Sequence, residues 1–316
     1  MAEDIHQNTR KDPILIEKFA DFLLENALET DVPADAVDKI QQFFDRNMPE
    51  EKLRLDISLY AFFYERSNGF EDTSLQRTLL KIWRILNKLT LWGLIGSMRV
   101  CYKLHLDGGG LQFSKLFTSF VKERFPGKIF YHVLDWCAGP GFIGFELLSQ
   151  NLLQQLSLTD ISSEAIDCAL NTISVNNLQG MVKAYVGDNL EAVPKHQKFD
   201  LVVGNPPWAL QVNNLLNPLI SSDVEWTLHR NFYNSVKDYL IPGALICLTC
   251  YKPFETNPHA NFKTNGPWDI RPEQPIVAFK KMIDEAGLVF KEIIYPFNLE
   301  IFMGEGIHLI VSQYNG

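Results

Sequence analysis

The sequence predicts an α/β fold with a mostly parallel sheet, preceded by a smaller helical domain. From Lys128 onward, short apolar segments alternate with longer amphipathic ones, which is the pattern of βαβ units. Ahead of them, apolar residues return every three or four positions, and this periodicity indicates helices over residues 14–27, 36–44, 53–64 and 75–91. We therefore expect a helical domain over residues 1–107 and an α/β domain over residues 108–316.

The elements of the α/β domain follow from short apolar runs and from polar residues at helix starts. Strands are predicted over residues 129–135, 156–160, 182–186, 201–204, 244–249, 288–294 and 307–312. Helices are predicted over residues 142–153, 163–176, 225–240 and 275–286. A further short strand is predicted over residues 99–106. It precedes Asp107-Gly108-Gly109-Gly110, which permits a turn or hinge and marks the domain boundary.

The net charge, the cysteines and the apolar stretches of the sequence indicate which partners and which cellular compartment to expect. The 316-residue chain carries 29 Lys and Arg against 38 Asp and Glu, so its formal net charge is −9. Such a chain repels a phosphate backbone on average, which disfavours nucleic acid as a partner. Five scattered cysteines favour a reducing compartment. The acidic start does not resemble an export signal, and no apolar stretch approaches the roughly 20 residues of a membrane span. We expect a cytoplasmic protein, and the oligomeric state stays open.

Acidic residues follow three successive predicted strands. Asp135 ends the first strand, which continues through Gly139 and Gly141 into a helix; glycines let a ligand approach the backbone, and a helix start offers free N–H groups. Asp160 ends the second strand, and Asp188 follows the third. Taken alone, the glycine segment after Asp135 can be explained as a tight turn, Asp160 as a helix cap and Asp188 as a turn residue. Because the carboxyl ends of parallel strands meet at one edge, the three together predict a nucleoside-binding pocket.

The fourth strand runs into Asn205-Pro206-Pro207-Trp208. Two prolines stiffen a turn, but a stiff turn does not explain an amide before them and a large aromatic ring after them. This run resembles the Asn/Asp-Pro-Pro-aromatic motif of class I S-adenosylmethionine-dependent amino methyltransferases. The acids described above precede it in that family's order and spacing. The resemblance covers roughly residues 113–316 and implies a Rossmann-like sheet of seven mostly parallel strands, with residues 307–312 as the antiparallel last strand.

The resemblance also implies a set of site residues. Asp135 and the backbone of residues 137–141 would hold the methionine part of S-adenosyl-L-methionine, Asp160 its ribose and Asp188 its adenine. The residues predicted to bind the cofactor are Asp135, Cys137, Ala138, Gly139, Gly141, Phe142, Asp160, Ile161, Asp188, Asn189 and Asn205. Those predicted to be catalytic are Asn205, Pro206 and Trp208. Those predicted to line the substrate pocket are Phe113, Pro207, Trp208, Lys252 and Phe254.

Two signals are given no functional role. Cys247 and Cys250 lie three apart in a predicted strand and therefore point to opposite faces, so no metal site is expected. His229 is expected on the solvated face of the helix over residues 225–240.

The motif suits methylation of a planar nitrogen, whose lone pair is delocalised and poorly nucleophilic. Asn205 Oδ1 and the Pro206 carbonyl would accept its N–H bonds, while Trp208 stacks on the flat substrate. The sequence resembles the enzymes that methylate a glutamine amide of translation release factors, which also carry a small helical domain ahead of the catalytic one. It departs from them at Trp208, where that group has Tyr, and over residues 108–114, which lack a Pro-Arg-Pro-like signature.

Several functions therefore stay open. A protein acceptor of the glutamine type is favoured, and the alternatives are a small molecule or natural product and an exocyclic amine of RNA or DNA. A non-enzymatic protein could keep the pocket to sense S-adenosylmethionine or to scaffold a partner. A nicotinamide-dependent dehydrogenase would explain the Gly-x-Gly-x-x-Gly spacing of Gly139, Gly141 and Gly144, but it leaves Asp135 and the Asn-Pro-Pro-Trp run without a role.

Overall fold

The computed structural model describes residues 90–106, 110–207, 223–251, 275–294 and 307–316. The helices predicted over residues 14–64, and all but the last two residues of the helix predicted over 75–91, lie outside the described residues. The same holds for Trp208, Lys252 and Phe254, and for the glycines at 108 and 109.

The described elements follow one another in an α/β order. A two-stranded sheet, β1 and β2, comes first, and a seven-stranded sheet follows. The strands are β1 (Leu91–Ile95), β2 (Met98–Tyr102), β3 (Phe130–Trp136), β4 (Leu153–Asp160), β5 (Val182–Val186), β6 (Phe199–Gly204), β7 (Leu240–Tyr251), β8 (Val289–Ile294) and β9 (Ile307–Gln313). The α-helices are α1 (Gly110–Arg124), α2 (Phe142–Ser149), α3 (Ser163–Val175), α4 (Thr227–Val236) and α5 (Pro275–Glu285).

The large sheet has the order β5-β4-β3-β6-β7-β9-β8. Strands β3 to β7 pair in parallel, whereas β9 is antiparallel to both β7 and β8. The predicted Rossmann-like class with seven mostly parallel strands and an antiparallel last strand is confirmed. The strand order reverses direction between β3 and β6, and ligands of open α/β sheets bind outside the carboxyl ends at such a point.

The central strands are buried on both faces, as a parallel sheet between helices requires. One face carries Leu134, Val202 and Ile246, which join a cluster with Phe232 of α4 and Phe279 of α5. The alternating residues of the same strands point to the opposite face. By this alternation Asp135, Asn205 and Thr249 share one face of the sheet.

The structure corrects two expectations near the domain boundary. The helix predicted over residues 75–91 is wrong at Leu91, where strand β1 begins, and β1 forms a hairpin with β2 that was not expected. Gly96 makes this turn with a φ of 57°, which suits glycine. The strand predicted over residues 99–106 ends as β2 at Tyr102, and a short 3₁₀ helix follows at Leu104–Leu106.

Helix α1 is a third correction, because no helix was expected at Gly110–Arg124. Its buried apolar residues are Phe113, Phe117, Phe120 and Val121. This spacing of four, three and one is the period of an amphipathic helix. Gly110 is the first residue of the helix and does not form a turn.

Candidate active site at the carboxyl edge of the sheet

The loop between β3 and α2 is built around three residues with positive φ. Cys137 has a φ of 54°, Gly139 of 54° and Gly141 of 90°. A Cβ added to Gly141 would lie 2.7 Å from the ring of Phe145, so this position requires glycine. Ala138 N donates to Thr159 O of β4 at 3.0 Å, which ties the loop to the neighbouring strand. The loop thus leads directly into the first turn of α2, and the N–H groups of Ala138, Gly139 and Gly141 are held by hydrogen bonds within the protein.

Asp135 lies under this loop and is fully buried. Its Oδ2 accepts from Gly144 N of α2 at 2.8 Å, whereas its Oδ1 has no hydrogen-bond partner among the described residues. Burial raises the pKa of this carboxyl well above its usual range, Gly144 N–H lowers it and the charge of Asp160 raises it. A buried carboxylate oxygen without a donor fits a cationic ligand group such as an ammonium.

Asp160, the last residue of β4, holds the loop from the other side. Its Oδ2 accepts from Gly139 N at 2.8 Å, and its Oδ1 accepts from Ser162 N at 2.8 Å. Burial raises the pKa of this carboxyl, and its backbone hydrogen bonds oppose that rise. A carboxylate has about four lone-pair sites, so this group can still accept from a ribose hydroxyl. Ile161, predicted to bind the cofactor, is an exposed apolar side chain next to it.

Asp188 and Asn189 follow β5 at the same edge. The Asp188 side chain is exposed. Asn189 has a φ of 54°, its Nδ2 donates to Leu228 O at 3.3 Å, and its backbone carbonyl accepts from the Thr159 hydroxyl at 3.2 Å. Its Oδ1 is buried and has no partner among the described residues. The turn therefore leaves an unused amide acceptor beside the crevice.

The charges of four acids influence the pKa of the Cys137 thiol. Burial raises the pKa of this thiol well above its usual range, and the charges of Asp160, Asp135, Asp223 and Asp188 raise it further. The charges of the three acids predicted to share one pocket, and of Asp223, therefore all act on this one side chain. The thiol stays protonated, so it acts as a small apolar side chain and not as a nucleophile.

Asp223, the fourth acid, was not predicted as a site residue. It is buried ahead of α4, where its carboxylate accepts from Leu228 N at 2.8 Å, His229 N at 3.2 Å and His229 Nδ1 at 2.6 Å. The expectation that His229 is solvated is wrong: its ring is fully buried and packs edge-on against Trp136, Trp226 and Phe279. An Asp shortly before a predicted helix is the sequence signal for such a cap.

Asn205 leaves β6 beside the glycine loop. Gly204 is the register partner of Trp136, and a Cβ on Gly204 would lie 2.5 Å from the Trp136 carbonyl oxygen, so the two strands require glycine here. The Asn205 side chain is half-buried, and Pro206 and Pro207 are buried. The Thr249 hydroxyl donates to Asn205 Oδ1 at 2.6 Å. The amide and the loop therefore leave adjacent strands at one edge of the sheet.

Two predicted site residues sit inside the hydrophobic core. Phe113 is 5% exposed on the buried face of α1, and Phe142 is 1% exposed at the start of α2. The rings of both residues are therefore buried in the protein and not exposed to a ligand. Within the described ranges, no group of three metal-ligating side chains occurs, and none of the helices has the length and apolar character needed to span a membrane.

Comparison with known proteins identifies the central segment. Residues 112–225 match the family model described as "Methyltransferase small domain". This segment is similar to methyltransferase domains. The match confirms the enzyme class expected for the domain and, with it, S-adenosylmethionine as the cofactor. The unpaired Asp135 oxygen fits that cofactor's ammonium group.

Curated relatives fall into two groups by name. A "Ribosomal RNA small subunit methyltransferase C" of Haemophilus influenzae is 28% identical over 179 residues, covering 57% of this chain and 49% of that protein. Another strain's protein of this name is 33% identical over 150 residues, 48% of this chain and 40% of the relative. A "Release factor glutamine methyltransferase" of Leptospira interrogans is 36% identical over 90 residues, 28% of this chain and 32% of the relative. The chain spans less than half the length of these relatives.

Proposed function

We propose that this chain is an S-adenosylmethionine-dependent N-methyltransferase whose acceptor is a planar exocyclic amine of RNA. One observation carries the choice of a nitrogen acceptor: the amide oxygen of Asn205 lies where β6 ends, beside the loop that leaves β3. The choice of RNA is supported by relatives named for ribosomal RNA methylation, whose matches extend over 150 and 179 residues.

The chain's own groups would act mainly by positioning. When bound, S-adenosylmethionine supplies a methyl group on a positively charged sulfur. Asn205 Oδ1 and the Pro206 carbonyl accept the two N–H bonds of the target and turn its lone pair toward that methyl group. Trp208 provides a flat surface for the base. Such orientation contributes up to about 7–11 kcal/mol to a two-substrate reaction. The methylated nitrogen then releases its proton to water or to these acceptors.

A glutamine amide of a protein is the second candidate acceptor. The observation that favours it is the shorter match to a release factor enzyme, 36% identical over 90 residues. A carboxamide is also planar and presents the same two N–H bonds, so the Asn205 site suits both acceptors. The net charge of −9 favours a protein over an RNA acceptor.

The test is transfer of labelled methyl groups from S-adenosylmethionine into a host-cell extract, followed by separate nuclease and protease digestion. Nuclease-sensitive label is the expected result, and protease-sensitive label would replace RNA by the glutamine acceptor. Label that passes a size filter would point to a small molecule. No label in any fraction would overturn the methyltransferase assignment of the whole chain.

The Asn205→Ala variant tests the role of the amide. It should bind S-adenosylmethionine nearly as well as the parent protein, because the glycine loop and Asp135 are intact. Turnover should fall by roughly two or more orders of magnitude, as when a preorganised polar group is removed from other active sites. Calorimetry gives the cofactor affinity and the labelled extract gives the turnover. Unchanged turnover would contradict the proposed role of Asn205.

A further inference from the structure

Thr249 sits next to Asn205 on the neighbouring strand. Gly204 of β6 and Leu248 of β7 are register partners, so the residues that follow them, Asn205 and Thr249, leave the parallel strands side by side. Thr249 is completely buried, and its hydroxyl donates to Asn205 Oδ1 at 2.6 Å. A buried hydroxyl bonded to the proposed acceptor atom is an arrangement that packing alone does not require, since valine has the same shape.

This hydrogen bond determines the orientation of the Asn205 amide, because it distinguishes the oxygen from the nitrogen. The terminal torsion of an asparagine has a broad energy profile, so the side chain rotates easily unless a partner distinguishes oxygen from nitrogen. A hydroxyl that donates to Oδ1 makes that distinction, and 2.6 Å is typical of an O–H···O bond. An amide oxygen has two lone pairs. One accepts from Thr249, and an amide oxygen has the capacity to accept from a second donor such as an N–H of the target.

We propose that Thr249 is a positioning residue for methyl transfer. It orders Asn205 Oδ1 before the target arrives, so that no free energy is spent on fixing the amide in the reacting complex. The inference rests on the proposed function, because the acceptor role of Asn205 exists only for a nitrogen target. Thr249 itself touches neither the target nor the cofactor in this scheme.

The variants are chosen to separate the hydroxyl from the shape of the side chain. Thr249→Val keeps the β-branched shape in a buried strand and removes the donor, whereas Thr249→Ser restores the donor. Thr249→Cys keeps a weak donor and serves if the valine variant folds poorly. The matched control is Thr172→Val, which removes an equally buried hydroxyl that donates to Cys168 O within α3.

The first readout is the rate of labelled methyl transfer into a host-cell extract at saturating S-adenosylmethionine. The rate for Thr249→Val should fall roughly 10- to 100-fold, since a displacement of about 1 Å can cost about 100-fold. Its cofactor affinity should not change. Thr249→Ser should recover most of the rate, and Thr172→Val should match the parent. If the parent is active and Thr249→Val is equally active, the inference about Thr249 is wrong, whereas the proposed function is not affected. A parent that labels no fraction overturns the proposed function and this inference with it.

The second readout needs no acceptor. In protein labelled with ¹⁵N at asparagine, the side-chain NH₂ signals of Asn205 are identified by their loss in Asn205→Ala. Thr249→Val should shift these signals and speed their exchange with water, and Thr249→Ser should restore both. Signals that are identical in the parent and in Thr249→Val would show that the hydroxyl does not hold the amide, and the inference would be wrong.

Discussion

Asp135 is a carboxylate in a place that water does not reach. One of its oxygens accepts from Gly144 N, and the other has no donor among the described residues. Burial without full hydrogen bonding disfavours the charged form, which is why the pKa of this group is raised. Such a residue destabilises the free protein and is retained where a ligand supplies the missing donor.

We expect Asp135→Asn to bind S-adenosylmethionine about 10- to 100-fold more weakly, because a hydrogen bond to a charged group contributes roughly 1.5–3 kcal/mol. Without cofactor, the free energy of unfolding of Asp135→Asn should increase relative to that of the parent as the pH rises. A raised folded-state pKa means that the native parent binds more protons than its unfolded chain, so its free energy of unfolding falls with pH above the usual carboxyl pKa of 3.8.

Urea unfolding at pH 5, 6 and 7 measures this difference, and calorimetry gives the affinity. The control is Asp167→Asn on the exposed surface of α3, which should keep the cofactor affinity. A stability difference between Asp135→Asn and the parent that shrinks with rising pH would contradict the expected sign.

At the scale of single residues, the sequence predicts the positions of those candidate site residues that lie at the ends of strands. Asp135, Asp160 and Asn205 are found from their position after apolar runs, because parallel strands bring their carboxyl ends together. Thr249 and Asp223 are not found this way. Their roles depend on which strand lies beside β6 and on how α4 packs, and neither follows from local pattern.

Helix α4 begins in an unusual way. Glu225 and Trp226 just ahead of it have φ values of 60° and 59°, a conformation that costs roughly 1–2 kcal/mol per residue without glycine. The Asp223 carboxylate compensates by accepting two backbone N–H groups and the His229 ring N–H. The cap therefore holds both the helix start and a buried imidazole.

Asp223→Ala should lower the free energy of unfolding by roughly 2–5 kcal/mol, because a cap is lost and a buried ring donor loses its partner. Asp223→Asn keeps one acceptor oxygen and should lose less. Asp167→Ala on the exposed side of α3 should stay within about 0.5 kcal/mol of the parent. Urea denaturation at pH 7 compares the four proteins. A loss below about 1 kcal/mol for Asp223→Ala would show that the cap is not needed.

The secondary-structure elements, like the residues, divide into those that a local sequence pattern predicts and those that depend on tertiary contacts. Buried parallel strands are mainly apolar runs, and their positions are predicted to within a few residues, as for β6 at Phe199–Gly204, which was predicted over residues 201–204. Helix α1 has a clear helical period in Phe113, Phe117 and Phe120, but the glycines before it suggest a turn. The apolar run that contains β1 fits a helix as well as a strand, and only pairing with β2 decides between them.

For the whole molecule, the total charge and the charge at the site have different consequences. The net charge of −9 is spread over 316 residues, whereas four carboxylates influence the single thiol of Cys137. A negative field at the carboxyl edge of the sheet stabilises a sulfonium and an ammonium. It repels the pyrophosphate of a nicotinamide dinucleotide, even though Gly139, Gly141 and Gly144 have that motif's spacing.

Thermal unfolding with each ligand tests this electrostatic argument on the intact chain. S-adenosylmethionine at 100 times its dissociation constant should stabilise the protein by about 2.7 kcal/mol, and each kcal/mol raises Tm by roughly 2–4 °C in a protein of this size class. NAD⁺ at the same concentration should leave Tm unchanged. Asp135→Asn should show a smaller shift with S-adenosylmethionine, since its neutral amide no longer attracts the ammonium. A rise in Tm with NAD⁺ and none with S-adenosylmethionine would mean that the glycine loop serves a dinucleotide and that the methyltransferase proposal is wrong.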